Sequence, residues 1–188
     1  MTKIYELETD RLRLRQWTEA DKVPFAQLNA DERVMEFFPS TLLRAESDEF
    51  AERVIRAIAH RGWGLWAVEV KDKHPFIGFV GLNVPTYPLP FNPCVEVGWR
   101  LDYPYWGQGY ATEAAKAAIA FGFETLALTE IVSFTALINV RSQAVMKRLG
   151  MERVSCGGDA PASQTFMHPS VPEGSDLREH CLYKLLSL

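Results

Sequence analysis

One stretch restricts what this chain can fold into more than any other. The β-rich run Val95-Glu96-Val97-Gly98-Trp99-Arg100-Leu101 leads through a short loop to Trp106-Gly107-Gln108-Gly109-Tyr110-Ala111-Thr112, where an alanine-rich helical run begins. Gly107 and Gly109 lack the Cβ atoms that keep an anion away from the backbone. The first N–H groups of the helix have no intrahelical partner and sit at the positive end of its dipole. A strand, a glycine turn and a helix start in that order form either a phosphate-binding cradle or a tight strand-to-helix turn without a ligand. Two common phosphate loops do not fit. The dinucleotide fingerprint needs a third glycine near the first strand, and the nucleoside-triphosphate loop needs a Gly-Lys-Ser/Thr ending.

The elements around this stretch define a fold class. Leu7 to Arg15 alternates as an edge strand. Thr18 with Asp21 reads as a shortened capping box for a helix to about Asn29, with Pro24 in its first turns. A short helical stretch around Val34 to Phe38 stops at Pro39. Ser47 is placed to cap a third helix, from Asp48 to His60. Leu65 to Val70 and Phe76 to Val84 read as a hairpin about Lys71–Pro75. Four prolines in the nine positions from Pro85 to Pro93 make that segment a loop. Strand Cys94 to Leu101, a helix from Gly109 to about Leu126, strand Ile131 to Leu137 and helix Arg141 to Leu149 follow, the last stopped by Gly150. A Gly-, Pro- and Ser-rich loop from Gly157 to Ser175 precedes a closing strand, Leu182 to Leu188. The expected architecture is an α/β domain of the α+β type, with one mixed, mostly antiparallel sheet flanked by helices. At 188 residues a single domain spanning 1–188 is expected.

A formal charge of -4 gives no electrostatic reason for a nucleic acid or an anionic membrane as partner. The first residues lack the basic start and apolar run of a signal peptide, and no run approaches the roughly 20 apolar residues of a membrane span. Cys94, Cys156 and Cys181 are scattered and odd in number, which points to packed thiols in a reducing, cytoplasmic setting. Neither His168 nor His180 has a metal-ligand spacing partner, so no metal is expected.

Three ordered segments carry a resemblance to a known family. Gly98-Trp99-Arg100-Leu101 with Trp106 to Ala114 resembles the acyl-CoA-binding segment of the GNAT N-acetyltransferase superfamily. Thr9 to Arg15 is similar to the opening strand, and Asn139-Val140-Arg141-Ser142 with Lys147 to Met151 to the late helix, of its ribosomal-protein-alanine N-acetyltransferase branch. The resemblance spans nearly the whole chain. It implies acetyl-CoA as co-substrate and an amine as acceptor, either a protein N-terminal α-amino group or a small-molecule amine. It also implies that pantetheine lies along Val97, Gly98 and Trp99, with Gly98 suited to a bulge. The pyrophosphate would sit in the Gly107–Gly109 turn, on the amides of Gln108, Gly109, Ala111 and Thr112. Two positions depart from the family pattern: Trp106 opens the turn in place of Gln or Arg, and Met146 replaces a frequent tyrosine acid.

Acetyl transfer needs a proton acceptor for the amine and a donor for the departing thiolate. Glu96, an acidic residue within a strand, is the candidate base; the bland alternative is an ordinary salt bridge. Ser142, in the first turn of the late helix, is the candidate acid or a solvated helix-start serine. Asn139 is placed to bond pantetheine or to cap that helix. His168 and His180 are weaker candidates for the border of the acceptor site. Most aromatics read as core, and Phe37-Phe38-Pro39 as acceptor wall. No G-x-S-x-G or other nucleophile pattern appears, so direct transfer is the simpler mechanism. A non-catalytic acyl-CoA-binding regulatory module is the competing reading. Exposed strand edges permit a homodimer without requiring one.

Overall fold

The computed structural model describes residues 2–156 and 164–187. Its strands are β1 (Leu7–Glu8), β2 (Leu12–Arg15), β3 (Leu65–Val70), β4 (Gly78–Asn83), β5 (Glu96–Leu101), β6 (Glu130–Ala136), β7 (Glu152–Val154), β8 (Thr165–Met167) and β9 (Glu179–Leu186). Its helices are α1 (Lys22–Ala30), α2 (Glu32–Met35), α3 (Arg44–Arg61), α4 (Tyr110–Glu124) and α5 (Val140–Arg148). All described strands join one sheet, ordered β1-β2-β3-β4-β5-β6-β9-β7, with β8 also on β9. Every pairing is antiparallel except that of β5 with β6. This is the mixed, mostly antiparallel sheet expected from the sequence.

Four local expectations need correction. The first strand is a hairpin: Thr9 turns the chain between β1 and β2, accepting the Leu12 N–H on its hydroxyl at 2.9 Å. Helix α3 starts earlier than Ser47, at Arg44, because the Glu46 carboxylate accepts the Leu43 N–H at 2.7 Å. Ser47 is instead fully buried and accepts from Asn29 Nδ2 at 2.9 Å. Gly98 makes no bulge against β4, where the register runs unbroken from Gly78↔Leu101 to Asn83↔Glu96. The predicted terminal loop contains β8, and β9 begins three residues ahead of the predicted closing strand; residues 157–163 lie outside the described residues.

The sheet separates two packing faces. Alternation along β5 directs Val97, Trp99 and Leu101 to one side and Glu96, Gly98 and Arg100 to the other. Helix α4 covers the first face with Ala114, Ala115, Ala118, Ile119 and Gly122. Small residues are required there, since a Cβ on Gly122 would lie 2.8 Å from Ile131 Cδ1 and 3.1 Å from Leu82 Cδ1. Helices α1 and α3 cover the second face through an aromatic cluster. Phe50 stacks on Phe79 with centroids 5.6 Å apart, and Phe25 meets Trp17 edge-on at 4.9 Å. None of the helices in the described residues is long and apolar enough to cross a membrane.

Gly81 and Gly98 are directly opposed on β4 and β5, yet their surroundings differ. A Cβ on Gly81 would lie 2.0 Å from the Gly64 carbonyl oxygen, whereas one on Gly98 meets only Glu96 Oε1, at 3.5 Å. Gly81→Ala is therefore expected to destabilise the fold by about 2 kcal/mol, and Gly98→Ala by less than about 0.5 kcal/mol, both read by urea unfolding.

Candidate active site

Strands β5 and β6 touch at a single register point, Glu96↔Val132, where the Val132 N–H donates to the Val95 carbonyl at 2.9 Å. One step further the Ser133 hydroxyl donates to the Val97 carbonyl at 2.9 Å, and beyond that the two strands have no register partners. Since Val95 and Val97 point their carbonyls at β6, alternation points the Trp99 N–H and carbonyl into the opening. Gly98 faces β4 instead, so the three residues assigned to pantetheine are not equivalent. Trp99 carries the free peptide edge that an extended amide chain could join.

The gap leads to the glycine turn. Gly107 and Gly109 have φ of 74° and 82°, a left-handed conformation in which a Cβ costs roughly 1–2 kcal/mol. Helix α4 makes its first backbone bond from the Glu113 N–H to the Gly109 carbonyl at 3.0 Å. The amides of Gly109 to Thr112 thus have no acceptor within the helix. Nothing lies within 4 Å of where a Gly107 Cβ would stand, so the turn opens on free space.

The turn is held from the β1–β2 hairpin. Arg11 donates from Nη1 to the Gln108 carbonyl at 3.0 Å and from Nε to Glu113 Oε2 at 2.6 Å, and its guanidinium lies over the Tyr110 ring at 4.6 Å. Thr9 donates to the other Glu113 oxygen at 2.6 Å. Two sequence segments that resemble separate family motifs are thereby one hydrogen-bonded unit. The Gln108 side chain turns away and donates to the Pro104 carbonyl at 2.9 Å, leaving only its backbone for an anion.

Turn, gap and second face share one cavity of about 1410 Å³, bordered by Val97, Gly98, Trp99, Gly107, Gly109, Ala111, Thr112, Asn139 and Ser142 as well as Glu96 and Arg100. Asn139 caps α5: its Oδ1 accepts the Ser142 N–H at 3.1 Å, and its Nδ2 donates to Thr135 Oγ1 at 3.0 Å. Both ends of that amide are engaged, which favours the capping role. The Ser142 hydroxyl has no partner among the described residues. Met146, one turn along, is fully buried in the core and takes no part in the cavity.

Glu96 is the chemically distinctive group. It faces Asn83 across the strands, and among the described residues its Oε2, shut off from solvent, has neither a hydrogen-bond nor a salt-bridge partner. Burial raises its pKa from 4.5 to about 7, against a hydrogen bond from Asn83 that lowers it. The wall beyond it is aromatic and was only faintly visible in the sequence. His168 and His180 pack with ring centroids 4.7 Å apart and planes tilted by 36°, beside Tyr87 and Phe134. Burial, and for His180 its histidine neighbour, lowers both pKa values, to about 4 for His180. Phe37, Phe38 and Pro39 border the same cavity, and the neighbouring Glu36 pairs with Arg141 of α5.

The Glu96 proton links the site to stability. The folded carboxyl keeps its proton above the pH at which the unfolded one loses it, so stability falls as pH rises from about 4.5 to about 7. The loss is about 3 kcal/mol. Glu96→Gln should remove it, so that the variant gains stability over the parent between pH 5 and pH 8 in parallel denaturant titrations.

Comparisons with known proteins identify the family and the fold. A model described as "Acetyltransferase (GNAT) domain" matches residues 11–152. The uncharacterized N-acetyltransferase YnaD of Bacillus subtilis is 25% identical over 184 residues, covering 96% of each protein. A crystal structure of an acetyltransferase from Agrobacterium tumefaciens superposes with a TM-score of 0.76 at 26% identity, over 100% of this chain and 97% of that one. A ribosomal L7/L12 alpha-N-protein acetyltransferase solved with coenzyme A superposes with a TM-score of 0.72 at 16% identity, over 97% and 98%. The chain belongs to the acetyltransferase (GNAT) domain family and is an acetyl-CoA-dependent acetyltransferase.

Proposed function

We propose that this protein moves the acetyl group of acetyl-CoA directly to an amine, with Glu96 as the base that takes the amine proton. The observation that carries the reading is the Glu96 carboxyl bordering the cavity, one of whose oxygens is shut off from solvent without a hydrogen-bond partner among the described residues. Its pKa near 7 matches a group that must accept a proton at neutral pH. A module that only bound acyl-CoA would have no use for such a carboxyl, which destabilises the fold.

In this reading the pyrophosphate rests on the amides of Gln108, Gly109, Ala111 and Thr112, with the Thr112 hydroxyl beside them. Pantetheine extends the β5 edge at Val97, Gly98 and chiefly Trp99, with Asn139 bordering its path. The acetyl carbonyl then lies in the gap above Glu96. The amine enters from the α1–α3 face and loses its proton to Glu96, through water. Its nitrogen attacks the thioester carbon, the C–S bond breaks, and the thiolate is protonated through Ser142, whose hydroxyl is restored by a proton from water as Glu96 returns its own to solvent. The products are an N-acetyl amide and free CoA thiol. The acceptor is either a protein N-terminal α-amino group, the target named for the ribosomal L7/L12 relative, or a small amine.

Release of CoA thiol from acetyl-CoA across an amine panel tests the assignment; binding of acetyl-CoA without turnover on any amine would overturn it. With an accepted amine, kcat/KM should fall as pH drops below about 7, because protonation removes the base. Glu96→Gln should lower kcat by roughly 10²- to 10⁴-fold while calorimetric affinity for CoA stays unchanged. Gly107→Ala should do the reverse, weakening CoA by about tenfold or more through a Cβ placed where the phosphate rests.

A further inference from the structure

Arg100 is a buried cation without an anion. The residue is 9% exposed and borders the cavity on the α1–α3 face. Its Nη1 donates to Asn29 Oδ1 at 2.7 Å, a neutral acceptor, and its Nε is buried with no partner. No carboxylate among the described residues forms a salt bridge with it. The guanidinium lies instead over the rings of Phe38, Phe50 and Phe79, at 4.1, 5.4 and 5.5 Å. Burial lowers its pKa to about 10, which leaves it charged at neutral pH.

The arrangement is rigid. Asn29 is fully buried and fixed from its other end, donating from Nδ2 to the buried Ser47 hydroxyl at 2.9 Å. An uncompensated buried charge is expensive, and an apolar replacement of similar volume is often neutral or stabilising. A guanidinium fixed by Asn29 and lacking a carboxylate is, however, the best protein group for gripping a planar anion. Its surroundings reinforce this. Among the described residues the cavity is bordered by six arginines and one carboxylate, Glu96, although the chain as a whole carries a net charge of -4. Two of the six belong to α5; Arg53, Arg56 and Arg61 line the α3 wall beside Arg100.

We propose that the acceptor is a small amine that also carries a carboxylate, and that Arg100 binds this carboxylate while the amine faces Glu96. This rests on the amine-acetylation reading and narrows its substrate class. Glu96 and Arg100 share one face of β5 at positions i and i+4, a Cα separation of roughly 13 Å for an extended strand. The reach of the two side chains sets which spacing of amine and carboxylate fits, a spacing that acids of graded length measure.

Calorimetric titration of the protein saturated with CoA separates the alternatives. The probes are ω-amino carboxylates from glycine to 8-aminooctanoate, each paired with its methyl ester. Acids of the fitting length should bind on the order of 10- to 100-fold more tightly than their esters. Arg100→Met should bring that ratio close to one, and Arg100→Lys should keep part of it. Affinity for CoA and the melting temperature of Arg100→Met should equal or exceed those of the parent. Equal binding of acids and esters, or no binding of any acid, would overturn the proposal, as would an acid preference that survives Arg100→Met. A parallel loss of CoA affinity in Arg100→Met would also overturn it, by assigning the residue to the cofactor. If Arg100→Met fails to fold, the acid-to-ester ratios of the parent and of Arg100→Lys still decide. An acid preference without CoA release from acetyl-CoA would refute the transferase reading and reduce Arg100 to a carboxylate-binding residue; turnover without an acid preference would refute the carboxylate assignment alone.

Discussion

The parting of β5 from β6 is the constraint on which the rest of this structure depends. The two strands are parallel, meet at Glu96↔Val132 and then separate. A sheet that stayed zipped would have satisfied the Trp99 peptide groups internally and left nothing for a ligand to pair with. Because the strands part, one edge of β5 is open in mid-sheet, a place where an unpaired backbone is otherwise costly. The Ser133–Val97 hydrogen bond marks the last point at which the strands remain linked. Helix α4 begins close to the mouth of the same gap, so its unsatisfied amides and the open strand edge border one cavity. The Arg11, Thr9 and Glu113 contacts hold that helix start against the opening hairpin.

The second face concentrates what the fold would be more stable without. Near neutral pH Glu96 keeps part of a proton it would release in water, and Arg100 holds a charge without a carboxylate partner among the described residues. Both sit on β5, in the middle of the sheet. They persist because the framework around them is over-determined: the Phe25, Phe50 and Phe79 cluster, the fully buried Asn29–Ser47 pair and the close backbone approach at Gly81. Stability invested in α1 and α3 is what lets β5 keep two unfavourable groups facing the cavity. The histidine and aromatic wall at Tyr87, Phe134, His168 and His180 closes the other side without adding charge at neutral pH.

Much of this was legible in the sequence, and the reasons are physical. The glycine turn and the alanine-rich α4 could be read because positive φ and tight helix packing each demand particular residues. Glu96 stood out because a carboxylate in a central strand needs a reason. The α3 start was misplaced because Ser47 has the chemistry of a cap, while its actual role, a buried bond to Asn29, depends on a helix 18 positions away. Arg100 gave no local signal at all. Nothing in Gly98-Trp99-Arg100-Leu101 tells whether its guanidinium meets a carboxylate; only the packing of α1, α2 and α3 shows that it does not. The hairpin at Thr9 and strands β7 and β8 escaped for a related reason: strands of two to four residues are set by pairing partners and not by local pattern.

The central claim is that one open strand edge and one helix start together hold the acetyl donor. Amide hydrogen exchange with and without CoA addresses it most directly. Protection should rise at Trp99 and across Gln108 to Thr112, while the β4–β5 amides, already paired, change little. Protection confined to other segments, or no change at Trp99 and the α4 start under saturating CoA, would contradict the account.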